Sequence, residues 1–573
     1  MNDIQNIITE RVDDIPLLLE QMQRMHLPTL IDHHFPTHGN WQGLSLGWVS
    51  TIWLSSILSR GDHRLVHVEP WVNNRLWTLR KATGQAVEQL DFTDDRLELV
   101  LQYVSDDMRW AQCESALNHQ TVRVYDLSCE RIHVDSTTAS SYATVSAAGL
   151  FQFGHSKDHR PDLPQVKVMQ AVLDPLGMPV ATDVVSGDRA DDPLYLPCIA
   201  RLQASLGRRG LLYVGDCKMA ARETRAVIAS RGDYYVCPLP QVQLANDELD
   251  EALEAIWSGE QSLISVTRER EEGQPEVIAE GYERQVAMRL EVEGDEHVWS
   301  ERRLVVRSLR HAQAAEAALR ARVAKAKAQV EALNVRGRGH KRYEDIETLR
   351  QAAHEIVQRC EVAEFLWLRY DQQRTTRQLR AYRGRPAQVK EDCQATVEVR
   401  VDEDALESAV RRLGWRMYGT NQPPEQLSFE QAVLAYRQEY LVERSFGRLK
   451  GRPLSLTPMY VHRDEHATGL IRLLSIGLRV LTLLEYVVRR QLAAQGEKLA
   501  GLYAGNAKRE TDRPTAERLL EAFQEMTLTV VEGTTQIYRH LTVLSPLHVR
   551  ILELLGFSAH VYTRLCTVSH EPP

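Results

Sequence analysis

The sequence predicts an α/β protein, a mixed-sheet core preceded by a helical N-terminal domain and interrupted by an α+β insertion. Three observations carry that prediction. Residues 1–128 show helical periodicity, and from Arg131 short apolar strands alternate with helices. Between about 241 and 425 a second set of strand and helix patterns then separates this core from a polar-striped helix at 428–450. At 573 residues the chain is too long for one core, so several domains are expected.

In residues 1–128, the segments VDDIPLLLEQMQRM, LSLGWVSTIWLSSILSR and DDRLELVLQYVSD set apolar residues three and four apart behind polar or Gly-bearing starts. Pro28, a turn from His38 to Trp41, and Gly61 separate them. His33, His34, His38, His63 and His67 lack the compact spacing of a zinc site and read as structural or surface histidines. This domain is a candidate for DNA-end or partner binding.

In residues 129–240, RIHVDSTT is an apolar run ending in Asp135, and VKVMQAVLD with PLGMPVATDVVSG reads as a hairpin. A helix, DPLYLPCIARLQASLG, leads to a strand, GLLYVGD, ending in Asp216. The helix KMAARETRAVIASR and the strand DYYVCPL follow. Ligands of such sheets collect at the carboxyl ends of parallel strands, where both aspartates fall.

Residues 241–425 begin with strand-like QSLISVTRE, QVAMRLEVE and RRLVVRSL. An Ala-rich helix around AQAAEAALRARVAKAKAQVEAL, a basic turn VRGRGHKR, an Arg-rich helix LRYDQQRTTRQLRAYRGR and a strand ATVEVRV follow. That is enough material for an insertion with its own core. Residues 426–500 return to the main core with the helix 428–450, started by Ser428 with Glu430 and Gln431, and an apolar helix behind it. Residues 501–573 read as a helical tail.

Composition narrows the functional class. Asp3 and Glu10 interrupt any apolar leader, and the apolar run 469–488 carries Arg472, Arg479 and Glu485, too costly for a membrane span and suited to a buried helix. The eight cysteines show no CxxC pair and read as reduced thiols. A cytoplasmic protein with no membrane partner is expected. The net charge of −9 hides a basic limb, since residues 320–390 hold 17 Lys and Arg against 8 Asp and Glu.

On the helix 428–450, Tyr436, Tyr440, Glu443, Gly447 and Lys450 fall near one line at about 100° per residue. If the strands ending in Asp135 and Asp216 lie side by side with this helix across their ends, three carboxylates meet. Two such charges about 4 Å apart repel by roughly 4 kcal/mol at an effective dielectric of 20, which favours cations between them. Oxygen-only ligands suit Mg²⁺ or Mn²⁺, and a two-ion site serves in-line displacement at phosphorus.

HVDSTT at 133–138, FGHSKDHRPDLPQVKV at 153–168, VGDCKMA at 214–220 and YRQEYLVERSFGRLKG at 436–451 together resemble the DDE transposases of bacterial insertion sequences. More narrowly they resemble the branch whose insertion lies between the second aspartate and the glutamate of an RNase H-like domain. The likeness runs from the helical N-terminal region to LSPLHVRILELLGF. It implies hydrolysis at terminal inverted repeats of double-stranded DNA and joining of the freed 3′-hydroxyl to target DNA. It also implies two Mg²⁺ ions, with Mn²⁺ able to substitute, and a homodimer on two DNA ends.

Carried over by residue, the resemblance assigns catalysis and metal binding to Asp135, Asp216 and Glu443. The family's third motif, tyrosine, two residues, arginine, three residues, glutamate, six residues, lysine, is matched by Tyr436, Glu443 and Lys450, but Glu439 holds the arginine's place. Arg437 or Arg444 would then supply that charge, and Glu439, four residues before Glu443, is close enough to repel it or to substitute as a ligand. Lys157, His159 and Arg160 are expected phosphate contacts. So are Arg338 and Arg342 of the insertion, with Arg336, Lys341, Arg374, Arg377, Arg380, Arg383 and Arg385. Trp299 and Trp367 are candidates for base stacking, but a core role is preferred for both. The competing readings are an RNase H-like structure-selective nuclease and a non-catalytic DNA-binding descendant of a transposase.

Overall fold

The computed structural model describes residues 4–566, apart from 245–246, 270–274, 293, 338–339, 380–387, 507 and 534–536. The N-terminal region opens with a strand, β1 (Ile4–Arg11), followed by α1 (Ile15–Arg24), α2 (Leu27–His34), α3 (Leu46–Arg60), α4 (Val68–Asn73), α5 (Leu76–Thr83), α6 (Asp94–Val104) and α7 (Asp107–Tyr125). Local chemistry sets several of these ends. The Ser45 hydroxyl accepts from the Trp48 amide to start α3, and Gly61 closes it in the left-handed region at φ 66°. The strand β1 departs from the all-helical expectation because its antiparallel partner is Thr527–Gly533 at the far end of the chain. No local periodicity reveals such a pairing.

The central sheet begins with β2 (Arg131–Ser140), β3 (Gln165–Leu173) and β4 (Met178–Ser186). Then α8 (Tyr195–Leu206), β5 (Leu212–Gly215), α9 (Arg222–Ser230) and β6 (Tyr234–Pro238) follow. The order β4-β3-β2-β5-β6, antiparallel on the β3 side and parallel from β2 through β5 to β6, is an RNase H-like arrangement. Every residue of β3 is buried, as a strand covered on both faces requires.

Next come α10 (Glu248–Trp257), β7 (Ile264–Glu269), β8 (Pro275–Val292) and β9 (Asp295–Ser308). They are followed by α11 (Leu309–Ala332), α12 (Ile346–Arg359), β10 (Leu366–Leu379), β11 (Gln388–Val401), α13 (Glu403–Arg412) and β12 (Trp415–Thr420). The strands β12, β9, β8 and β7 add antiparallel to β6, so one nine-stranded sheet runs through both regions. A separate core joins Leu319, Val323, Leu349, Ala353, Val397, Val399 and Leu406. The Arg-rich segment expected as a helix is the strand β10, paired with β11 from Leu366↔Val401 to Leu379↔Gln388. Leu366, Leu368 and Tyr370 alternate onto that core, a period of two that outweighs the helix propensity of the Arg and Gln residues beyond them.

The helix expected over 428–450 is two helices, α14 (Phe429–Arg437) and α15 (Tyr440–Lys450). Ser428 and Gln431 form the capping box that starts α14. At the junction the Glu439 amide donates to Tyr436 O at 3.0 Å, that of Leu441 to Gln438 O at 2.9 Å and that of Val442 to Glu439 O at 3.1 Å. These three-residue bonds tighten the turn and separate α14 from α15. Leu441, Val442 and Phe446 then pack on Val172 of β3, and the Ser445 hydroxyl donates to Gln170 Oε1 at 2.7 Å.

Behind them α16 (Asp464–Gln495) is buried on nearly all sides. The charges in its apolar run are paired inside the protein: Arg472 with Asp107, Arg479 with Glu114 at 3.2 Å, and Glu485 with Arg444, Arg448 and Arg489 at 2.6, 2.5 and 2.8 Å. The C-terminal region holds helices Ala516–Glu521 and Pro546–Leu555, and also the antiparallel strands Thr527–Gly533 and Ile537–Leu541.

Candidate active site

The parallel strands β2 and β5 are in register up to Val134↔Gly215, so Asp135 and Asp216 are the next residue on each. They stand side by side where β5 ends, but Asp135 lies midway along β2, which runs on to Ser140 against β3 instead of ending at the aspartate as expected. Asp135 Oδ1 accepts the Ser136 amide at 2.6 Å. Asp216 Oδ1 accepts both the Tyr195 hydroxyl, at 2.7 Å, and the Lys218 amide, at 2.8 Å. Burial, reinforced by the charge of Asp216 and opposed by Lys157, pushes the Asp135 carboxyl up to about 6. The Tyr195 phenol is likewise held well above its usual range, by burial first and then by Asp216, Asp135 and Asp191.

One lysine reaches into this corner. Lys157 Nζ donates to Ser136 O at 2.7 Å and Ser136 Oγ at 3.0 Å, and lies 3.5 Å from Asp135 Oδ1 and 3.7 Å from Asp191. Asp191 also takes the Ser136 hydroxyl at 2.9 Å and Lys167 Nζ at 2.6 Å. Burial works against the charge of Asp191, yet these cations hold its carboxyl below the usual range. The adjacent residue, Asp158, accepts Lys450 Nζ at 2.6 Å. Sequence reasoning singled out Lys157 and Lys450 but missed Asp158 and Asp191. The Lys-Asp pair inside SKDHRPDL was the available signal for the first, and nothing local marked the second.

The acids at α15 divide. Glu439, at the start of α15, has its carboxyl pushed up to about 7 by burial, then by Asp135, Asp216 and Glu443, with a hydrogen bond from the Tyr436 hydroxyl opposing. Its carboxyl therefore feels the charge of both aspartates. Glu443 lies one turn further along the same side, exposed, with Lys450 two turns beyond it. Among the described residues no three His, Cys, Asp or Glu side chains stand close enough to hold a metal ion unaided. The donors at this corner are carboxylate, hydroxyl and carbonyl oxygens, the hard set that a divalent cation takes.

The other expected contacts are spread out. Tyr436 is half-buried against Tyr418 with ring centroids 4.8 Å apart, Arg437 reaches Ser308 Oγ at 3.0 Å, and Arg444 is paired with Glu485. His159 is exposed with φ 56°, and Arg160 is paired with Asp162 at 2.7 Å. In the insertion Arg342 pairs with Asp392, while Arg336, Lys341 and Arg374 are exposed. Arg338, Arg380, Arg383 and Arg385 lie outside the described residues, as does the side chain of Arg377. Trp299 is buried and donates to the Tyr235 hydroxyl at 2.9 Å. Trp367, expected in a core, is instead 68% exposed and bonds Asp402 at 2.7 Å. Of the cysteines, Cys113, Cys129, Cys198 and Cys237 are buried and Cys217, beside Asp216, is exposed.

The family described as the transposase DDE domain matches residues 130–478, more than half of the 573-residue chain. No curated protein matches it. Among solved structures it is similar to a piggyBac transposase in a synaptic complex with hairpin DNA, at 7% identity over 89% of this chain and 79% of that one, with a TM-score of 0.33. A likeness that distant says nothing of what this chain does.

Proposed function

Because the chain belongs to the transposase DDE domain family, we propose that it is the transposase of a bacterial insertion sequence, cutting DNA at the element's inverted-repeat ends and joining the freed 3′-hydroxyl to target DNA. The carrying observation is the placement of Asp135 and Asp216 on adjacent parallel strands with the acidic side of α15 beside them. In this reading Asp135, Asp216 and Glu443 are the catalytic acids and would hold Mg²⁺, or Mn²⁺ in its place. Bound there, the ions would supply charge stabilisation to the attacking and leaving oxygens of phosphoryl transfer.

The protein's own groups do the rest. The Tyr195 hydroxyl and the Lys218 amide fix the rotamer of Asp216, and the amide of Ser136 fixes that of Asp135. Lys157 and Lys450 supply positive charge at the same strand end, where a DNA backbone would enter. The exposed Arg336, Lys341 and Arg374 of the insertion would track the duplex further out. Two protomers, one per DNA end, form the working complex.

The test is cleavage of a duplex carrying the element's own ends in Mg²⁺. Asp135→Asn, Asp216→Asn and Glu443→Gln should each abolish cleavage and leave end binding largely intact, and precut 3′-hydroxyl ends should be joined to target by the wild type. Robust cleavage by any of the three variants would overturn the assignment of that acid. Cutting without joining would mark a nuclease instead.

A further inference from the structure

Two consecutive residues of the loop between β2 and β3, Lys157 and Asp158, tie the first catalytic strand to the catalytic helix. Lys157 holds the strand at Ser136 and Asp135. Asp158 uses one carboxylate oxygen to accept the Ser140 amide of β2, at 3.2 Å, and the other to accept Lys450 Nζ at the end of α15, at 2.6 Å. Lys450 Nζ also donates to Thr137 Oγ1 at 2.8 Å. Thr137 is two residues beyond Asp135, hence on the same face of β2 and about 7 Å further along it.

The Lys450 ammonium is therefore held by two acceptors at one spot beside the acids. Its side chain stays 20% exposed, so a phosphate can still reach it. An unrestrained lysine loses rotamer entropy on meeting a phosphate, and this double anchoring removes that freedom before DNA arrives. The main chain fixes the anchor in turn, since the Lys157 amide donates to Thr138 Oγ1 at 2.9 Å.

We propose that Asp158 is a positioning residue for the strand-cleavage reaction: with Thr137 it aims Lys450 at the phosphate next to the one being cut and keeps α15 in register with β2. The proposal rests on the transposase reading. It goes beyond that reading by giving a role to a carboxylate that touches neither the two aspartates nor Glu443.

Single-turnover cleavage of end-bearing DNA, with end affinity measured separately, tests it. Asp158→Asn keeps the shape and removes the charge, and should slow cleavage about 10- to 100-fold while end affinity changes little. Lys450→Met should slow it comparably, and the double variant should be no slower than the worse single, because the two residues act as one unit. Asp158→Glu should recover part of the rate. Thr137→Val, which deletes the other acceptor without altering charge, should slow cleavage in the same direction and covers the case in which Asp158→Asn fails to fold.

Cleavage by Asp158→Asn at the wild-type rate, or slowing by the two single variants that multiplies in the double, overturns the proposal. A rise in end affinity and rate on losing Asp158 would show that it sequesters Lys450 and also overturns it. If Asp135→Asn still cleaves, it is the transposase assignment of the acids that fails.

Discussion

Replacing Asp135 with asparagine should make the protein more stable at neutral pH while destroying its activity. The carboxyl is pushed from an ordinary 3.8 up to about 6, and its side chain is only 18% exposed. A shift of about two units corresponds to roughly 3 kcal/mol, an upper figure for what ionising this group costs the folded state. Because the folded value is raised, the favourable contribution is complete below about pH 4 and is lost as pH rises through about 6. The metal-free wild type therefore loses that increment between pH 4 and pH 8, whereas an amide at 135 has none to lose.

The assay is calorimetric unfolding of both proteins in a chelator at pH 5 and pH 8. A chain of this size shifts by roughly 1 °C per kcal/mol if it unfolds as one unit, and about half of the increment remains at pH 5, so Asp135→Asn should gain about 1 °C on the wild type at pH 8 relative to pH 5. Raised acids that do not feel Asp135, Asp183 among them, cancel in the comparison, whereas Glu439 loses part of its own upshift in the variant and adds to the difference in the same direction. Adding Mg²⁺ should then raise the wild type more than the variant, as ligand binding to the folded state requires. Parallel melting curves across that pH range would refute the claim that Asp135 sits desolvated among other acids.

Two further substitutions probe the scaffold beneath the site. A Cβ at Gly469 would lie 2.1 Å from Leu101 O and 2.7 Å from its carbonyl carbon, so Gly469→Ala must force α16 away from α6. A loss of about 1–3 kcal/mol or more follows, read as a lower melting temperature, and an unchanged one would contradict the close approach. Glu485→Leu takes the carboxylate partner from Arg444 and leaves Arg448 with Glu517 and Arg489 with Pro514 O, and should destabilise by about 1–3 kcal/mol. Faster amide exchange in α15 than in β3 would be its local signature, and unaltered exchange there would speak against Glu485 as the tie between the two helices.

The strands that bear the aspartates were legible as short apolar runs, but only β5 stops at its acid, since pairing with β3 carries β2 past Asp135 to Ser140. Their adjacency then followed from ordinary α/β topology. The capping box at Ser428 was legible for the same local reason. Three features were not. The break at Gln438 and Glu439 contains neither glycine nor proline and is set by the packing of Leu441, Val442 and Phe446 on Val172. The strand β10 carries helix-favouring residues whose register is decided across the ladder by β11. The pairing of β1 with Thr527–Gly533 joins segments some 520 positions apart. The coupling of Glu439 to the charges of both aspartates belongs with the first of these, because Glu439 sits in the turn that the break creates.

The hydrogen-bonded strand order from β2 out to β7 crosses six strand intervals, roughly 29 Å at about 4.8 Å each. A scaffold of that kind behaves as a ruler and cannot swing like a hinged arm. Duplex lying across it from the acidic corner would be spanned over about eight base pairs at 3.4 Å per step. Shortening the strands at the outer edge would erode the far end of a protection footprint and leave the cut position where it was.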